Sequence, residues 1–305
     1  SGVSRSSVFR CFAGNPVRPQ AVAAIERALA VLQTPVPTPL SAKREYLVSV
    51  VPTYARFRGY AEVLDGVLQR SHETGAGVRI GSWQDGDPQP GGVIILGKGM
   101  ADEDVESLAW RSRGVPCVLI NRIPEELDRS WVSADCRTAA REAVEHLFAQ
   151  GCRRVVAWCD EGSRVSRDKL RGYRDALLAA GMDPDPGLRF DPAAASLESV
   201  FASLMDRHEP PDGWFSPDDA SAAQVISLAA ARGIAVPQNL AVVGMNDSTV
   251  APHMVPSLTS VRLPFHEMGL AAVDTLDRLV SHPRERSIRI VLAHQLVVRD
   301  SSRRI

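Results

Sequence analysis

The sequence predicts an α/β protein made of two doubly wound lobes, and three observations carry that expectation. Short continuous runs of β-branched and apolar residues alternate with amphipathic stretches of helical period. The runs are apolar throughout rather than alternating, as parallel strands covered on both faces require. A similar passage also occurs in each half: residues 113–120 and 232–244 both leave a helix end, pass a proline turn and enter an apolar run. With 305 residues, the chain is long enough for two such units.

The strand candidates in order are Tyr46 to Val51, Val78 to Trp83, Gly92 to Leu96, Cys117 to Asn121, Val155 to Cys159, Trp214 to Ser216 and Leu240 to Met245. Helices are predicted at Tyr60 to Thr74, Asp102 to Arg113, Thr138 to Gln150, Lys169 to Ala180, Leu197 to Arg207, Ala220 to Arg232 and His266 to Ser281. Five of them meet a stop signal, because Gly75, Gly114, Gly151, Gly181 and Gly233 stand where a left-handed residue is needed. Between Leu32 and Lys43, prolines 35, 37 and 39 each fix φ and remove a donor, so neither helix nor sheet continues and the segment reads as a linker.

Composition narrows the function. At 45% hydrophobic and 23% charged residues the chain is an ordinary globular protein, and no apolar run approaches the roughly 20 residues a bilayer span needs. Five separated cysteines without Cys-x-x-Cys pairing favour a reduced, cytoplasmic setting, and no metal or cofactor is expected. Net charge is −1, yet residues 1–44 carry Arg5, Arg10, Arg18, Arg27, Lys43 and Arg44 against Glu26 alone. A basic arm on a mildly acidic body fits a small phosphate-facing module attached to a body with another task.

Enzyme signatures are weak. Gly92 to Gly99 matches G-x-x-x-x-G-K, but it ends in glycine rather than Ser or Thr and its middle is an apolar strand, not a phosphate-cradling loop. No nucleophile elbow, zinc-protease pair or dinucleotide fingerprint follows a strand. The chain is therefore not expected to be an enzyme.

The N-terminal run Gly2 to Val17 resembles the second helix of the helix-turn-helix in the LacI/GalR family of transcription regulators, where A-G-V-S-x-x-T-V-S-R-x-L-N-G is usual. Gly2, Val3, Ser4, Val8, Arg10 and Gly14 match. Further segments follow in family order: Val50-Val51-Pro52, Ala61 to Val67, Glu145 to Val155, Leu170 to Leu177, Val236 to Gly244 and Pro256 to Arg262. The resemblance implies a periplasmic-binding-protein-like body preceded by a partial helix-turn-helix, whose first helix would precede Ser1. The implied division is a headpiece at 1–32, a linker at 33–45, an N-terminal lobe at 46–150 plus 264–284, and a C-terminal lobe at 151–263 plus 285–305. Where the family usually carries a helix, Gly81 to Gly91 joins two strands directly.

By that resemblance Ser4, Arg5, Ser6, Ser7 and Arg10 face DNA, with Arg5 and Ser6 toward base edges and Leu40 as a candidate minor-groove wedge. Effector residues are expected in the cleft at Tyr60, Lys169, Phe190, Asp218 and Asn246, with Asp219 and Asp247 adjoining. Other readings stay open for each: an exposed helix lysine at Lys169, a helix start at Asp218 and Asp219, turn residues at Asn246 and Asp247, and core aromatics at Tyr60 and Phe190. Asp135 reads as a helix cap, and Ser163 to Asp168 as a polar loop beside the cleft. The implied function is a DNA-binding regulator, a homodimeric repressor bound to operator DNA and controlled by a sugar, nucleobase or small acid. The alternative is a small-molecule receptor without DNA activity.

Overall fold

The computed structural model describes residues 3–4, 8, 18–31, 45–50, 59–81, 89–96, 101–121, 123–124, 128–283 and 287–304. The proline linker, Leu40, and Arg5, Ser6, Ser7 and Arg10 lie outside them. Ser4 is exposed, and its carbonyl accepts from the Val8 N–H at 3.1 Å, an i,i+4 helical contact. Helix α1 (Pro19–Val31) follows, with proline at its first position where the missing N–H costs nothing.

Two six-stranded sheets make up the body. The first has the order β11-β5-β4-β3-β1-β2. Its strands are β1 (Glu45–Val50), β2 (Gly77–Ile80), β3 (Gly92–Leu96), β4 (Cys117–Ile120), β5 (Ser130–Ala134) and β11 (Arg289–Leu292), all parallel. The second has the order β12-β10-β9-β8-β6-β7. It contains β6 (Val155–Trp158), β7 (Arg189–Phe190), β8 (Gly213–Phe215), β9 (Ala241–Met245), β10 (Thr259–Arg262) and β12 (Gln295–Val297). Position by position the two sheets correspond, except that β12 runs antiparallel to β10. The central strands are fully buried apolar runs, as the sequence predicts for parallel strands, and Gly92–Leu96 is one of them rather than a phosphate loop.

The seven predicted body helices are present. They are α2 (Gly59–Thr74), α3 (Ala101–Ser112), α4 (Cys136–Ala149), α5 (Arg164–Ala179), α6 (Leu197–Met205), α7 (Asp219–Ala231) and α8 (Phe265–Ser281). All five stop glycines adopt positive φ, between 67° and 88°. Asp135 caps α4 by accepting from the Thr138 N–H at 3.0 Å.

Three crossovers join the lobes, at Ala134–Cys136, at Leu263–Pro264 and at Ala293–His294, each beginning at the carboxyl end of a strand. The first two exchange helices. After β5 the chain leaves the first sheet and α4 packs on α5 of the second lobe, whereas after β10 it returns and α8 packs on α2 of the first. Two of the expected boundaries are thereby corrected. Residues 136–149 belong with the second lobe rather than the first, and residues 289–292 form an edge strand of the first sheet rather than part of the second lobe. Amphipathic period shows that a helix is buried on one face but not which sheet receives it.

The exchanged helices cross at glycines. A Cβ on Gly66 of α2 would lie 2.1 Å from the His266 carbonyl oxygen, and one on Gly269 of α8 would lie 2.1 Å from that of Val63. Gly172 of α5 stands equally close to the Arg137 carbonyl of α4. No side chain can be inserted without separating backbones. Gly269→Ala and Gly172→Ala are therefore each expected to lower unfolding free energy by about 2–3 kcal/mol in urea titrations. Gly75→Ala has open space around it and bears only the left-handed penalty of about 1–2 kcal/mol.

Candidate functional site

The parallel ladders aim the carboxyl ends of both sheets at the crossovers, so the space between the lobes is lined by the residues that follow each strand, where open α/β folds hold ligands. Asn121 follows β4 and Asn246 follows β9, strands at matching places in the two sheets. Their backbones are alike: Asn121 N–H donates to the Val132 carbonyl at 2.9 Å and Asn246 N–H to that of Val261 at 2.8 Å. Both take positive φ, 55° and 99°, which asparagine tolerates better than most residues. In both, the side-chain Oδ1 is sealed from solvent without a hydrogen-bond partner.

Three of the predicted effector residues gather at the ends of β6 to β8. Lys169 is 9% exposed and its Nζ donates to the Pro217 carbonyl at 2.7 Å, so it is not an exposed helix lysine. Asp218, next in the chain, caps α7 by accepting from the Ser221 N–H and hydroxyl at 2.8 and 2.9 Å. Phe190 is half-buried on β7, and its carbonyl accepts from the Cys159 N–H at 3.0 Å. Tyr60 is buried in the first-lobe core at the start of α2, consistent with the packing alternative.

Ser163 to Asp168 is not a loop but the capped first turn of α5, which begins five residues earlier than expected. Ser163 Oγ accepts from the Ser166 N–H at 3.0 Å. Buried Asp168 is paired by Arg164 at 3.1 Å and Arg171 at 2.8 Å.

The polar groups that sequence reasoning left in the background form the densest network. The Asp247 side chain is 3% exposed and is met by Arg262 at 2.6 Å and Arg299 at 2.7 Å, which supply the countercharge that burial demands. Asp219, 2% exposed, accepts from the Ser248 N–H and Ser260 hydroxyl, both at 2.5 Å. Arg262 and Arg299 give no local motif, since they meet Asp247 only after β10 and the C-terminal strap are in place.

Beside this network, at the crossovers, opens a cavity of about 420 Å³. Of the five predicted effector residues, only Asn246 lines it. Its other polar walls come from Glu62, Glu267, His266, His294 and Gln295 and from the ion-paired Asp247 and Arg262.

The buried thiols are poor nucleophiles and poor ligands. Burial pushes Cys136 up to about 11 and Cys159 up to about 12, against a smaller opposing pull from Lys169, so both remain protonated. His146 is held below the ordinary imidazole value by burial and by Arg303, and bonds Ser302 Oγ at 2.7 Å. Among the described residues no cluster of three His, Cys, Asp or Glu can hold a metal.

Burial raises the Asp219 carboxyl above its ordinary value of 3.8, with Asp247 adding to the shift and hydrogen bonds from Ser260 and Ser248 opposing it. The folded protein thus takes up this proton at higher pH than the unfolded chain. Asp219 is least costly below the unfolded value, and that advantage is lost as pH rises through the folded one. Relative to Asp219→Asn, the parent protein is expected to gain stability as pH falls from neutral toward 4 in denaturation series.

A family description of the periplasmic binding protein-like domain matches residues 144–302. Over 199 residues the chain is 36% identical to the HTH-type transcriptional regulator CelR of Thermobifida fusca, covering 62% of this chain and 57% of that protein. It is 32% identical over 223 residues to an uncharacterized HTH-type regulator in the aml 5' region of Streptomyces limosus, covering 69% and 62%. The chain thus spans about three-fifths of the length of these two relatives. A solved structure of the transcriptional regulator CelR–cellobiose complex superposes with a TM-score of 0.74 at 29% identity, covering 98% of this chain and 96% of that one. Together with the two matched sheets and their exchanged helices, the family match establishes that the chain belongs to the periplasmic binding protein-like domain family.

Proposed function

We propose that this protein is a DNA-binding transcription regulator, a repressor, whose two-lobed body binds a small molecule and sets operator affinity, and that it acts in the cytoplasm as a homodimer. It is a binder rather than an enzyme: its buried thiols Cys136, Cys152 and Cys159 are held protonated, and the buried carboxylates Asp168, Asp219 and Asp247 are occupied by arginines or Ser donors. The observation that carries the reading is the triple crossover. Two sheets whose carboxyl ends lie at the three crossovers found among the described residues turn a ligand between them into a change of lobe angle. The basic N-terminal arm supplies the phosphate-facing end.

Ligand and operator then share one equilibrium. A coupling of about 1–3 kcal/mol changes operator affinity roughly 5- to 150-fold. The effector is a neutral or weakly charged small molecule held by Asn246 and by the group around Lys169 and Asp218. The cellobiose of the CelR complex supports placing oligosaccharides beside sugars, nucleobases and small acids in a screen.

Fluorescence anisotropy with the full-length protein and its own promoter region tests the DNA half. Arg5→Ala is expected to weaken the specific site by about tenfold and random DNA far less. Equal loss on both makes Arg5 a phosphate contact, and no salt-sensitive sequence preference at all overturns the repressor reading in favour of a receptor without DNA activity. For the ligand half, a thermal-shift screen identifies the effector. Lys169→Met and Asn246→Ala are each expected to weaken its binding by about tenfold in calorimetry, the scale of one charged or buried hydrogen bond. Unchanged affinity in both variants places the effector elsewhere.

A further inference from the structure

The cavity at the crossovers is unlike the group around Lys169. Its rim carries Glu62 from α2 and Glu267 from α8, both exposed, and no cation among the described residues pairs with either. Arg262 and His266 line the cavity too, but each already has an acid partner, as does nearby Arg299. Arg262 and Arg299 hold Asp247, and His266 Nδ1 lies 3.1 Å from Asp65. Burial of its carboxyl, then the charges of Glu267 and Asp247, hold Glu62 above the ordinary carboxylate range, with His266 and Arg262 offsetting only part.

Deeper in the wall stand two residues with unanswered acceptors. Asn246 Oδ1 is sealed from solvent without a partner. The His294 side chain is 7% exposed, and its Nε2 lies 2.9 Å from the Glu142 carboxylate. That bond places the proton of a neutral ring on Nε2 and leaves Nδ1 a lone pair, also buried and unpartnered. A crowded carboxylate rim above two acceptors lacking donors describes one ligand chemistry.

We propose that this cavity is a second ligand subsite, adjoining the effector group around Lys169 and sharing Asn246 with it, that takes a small primary ammonium compound. An ammonium group offers three donors, no acceptor and a positive charge. It relieves the repulsion between Glu62, Glu267 and Asp247 and can turn an N–H toward Asn246 or His294. A polyol supplies donors but leaves the carboxylates repelling, and an anion is turned away at the rim. The volume, about 420 Å³, falls in the range of small-molecule sites. Glu62 and Glu267 belong to the first lobe, Asn246 to the second and His294 to a crossover, so an occupant fastens the lobes at one angle.

Calorimetric titration of the full chain with ethanolamine and 1,4-diaminobutane tests this, with ethylene glycol and acetate as neutral and anionic probes at one ionic strength. Saturable binding of the amines alone is expected, weakened at least tenfold in the Glu62→Gln/Glu267→Gln double variant and several-fold in Asn246→Ala. Both glutamates are exposed, so the double variant should melt like the parent protein and its loss of binding reports the site. Amines that bind no better than ethylene glycol, or equally well to the double variant, overturn the proposal. The effector found by the thermal-shift screen and the operator titration are read separately, so failure here leaves the regulator reading standing.

Discussion

Everything in this fold depends on the exchange of helices between the lobes. Each sheet is covered on one face by a helix that the chain delivers immediately after leaving the other sheet: α4 after β5, and α8 after β10. Those helices cross their partners at backbone distance, through Gly66, Gly269 and Gly172, so each lobe is closely packed, while among the described residues three short crossovers join the two. Rigid bodies on a narrow hinge convert a local contact into a change of angle, which is the physical requirement for a ligand to be sensed at a distance.

The polar residues near the hinge fall into two groups that behave differently. Buried Lys169, Asp168 and Asp219 and half-buried Asp218 are answered by the chain itself, through a carbonyl, two arginines, a pair of Ser donors and a helix N-terminus. Such groups hold a shape, and removing their partners leaves a costly buried charge. Asn121, Asn246 and His294 each keep an unanswered acceptor, two of them on strained, left-handed backbone at equivalent ends of the two sheets. Buried acceptors without donors are uncommon in folded proteins and cluster where another molecule or another conformation supplies the partner.

Much of the architecture was legible in the chain. Glycine stop signals located five helix ends, because only a residue without Cβ takes φ near 70° freely, and all five lie there. Continuous apolar runs located the central strands for the same reason that parallel sheets bury both faces. Ser130–Ala134 and Thr259–Arg262 escaped notice since Ser and Thr interrupt the apolar pattern, and the short strands β7, β11 and β12 lack a two-sided core. For the site, it was the resemblance to the LacI/GalR family that pointed to Asp218-Asp219 and Asn246-Asp247. Glu62 and Glu267 read as ordinary solvated acids on helix surfaces, and nothing local marks Arg299 or His294.

The amino-acid order alone thus determined the body helices, the central strands and their parallel character, because periodicity and backbone preference are properties of a few neighbouring residues. Which lobe receives α4 and α8, where β11 pairs, and which acids find an arginine were decided only by tertiary structure. Those outcomes join residues far apart in the chain, such as Glu142 with His294 or Asp247 with Arg299. No local pattern encodes such a meeting, since it exists only once both sheets have formed and the chain has crossed between them three times.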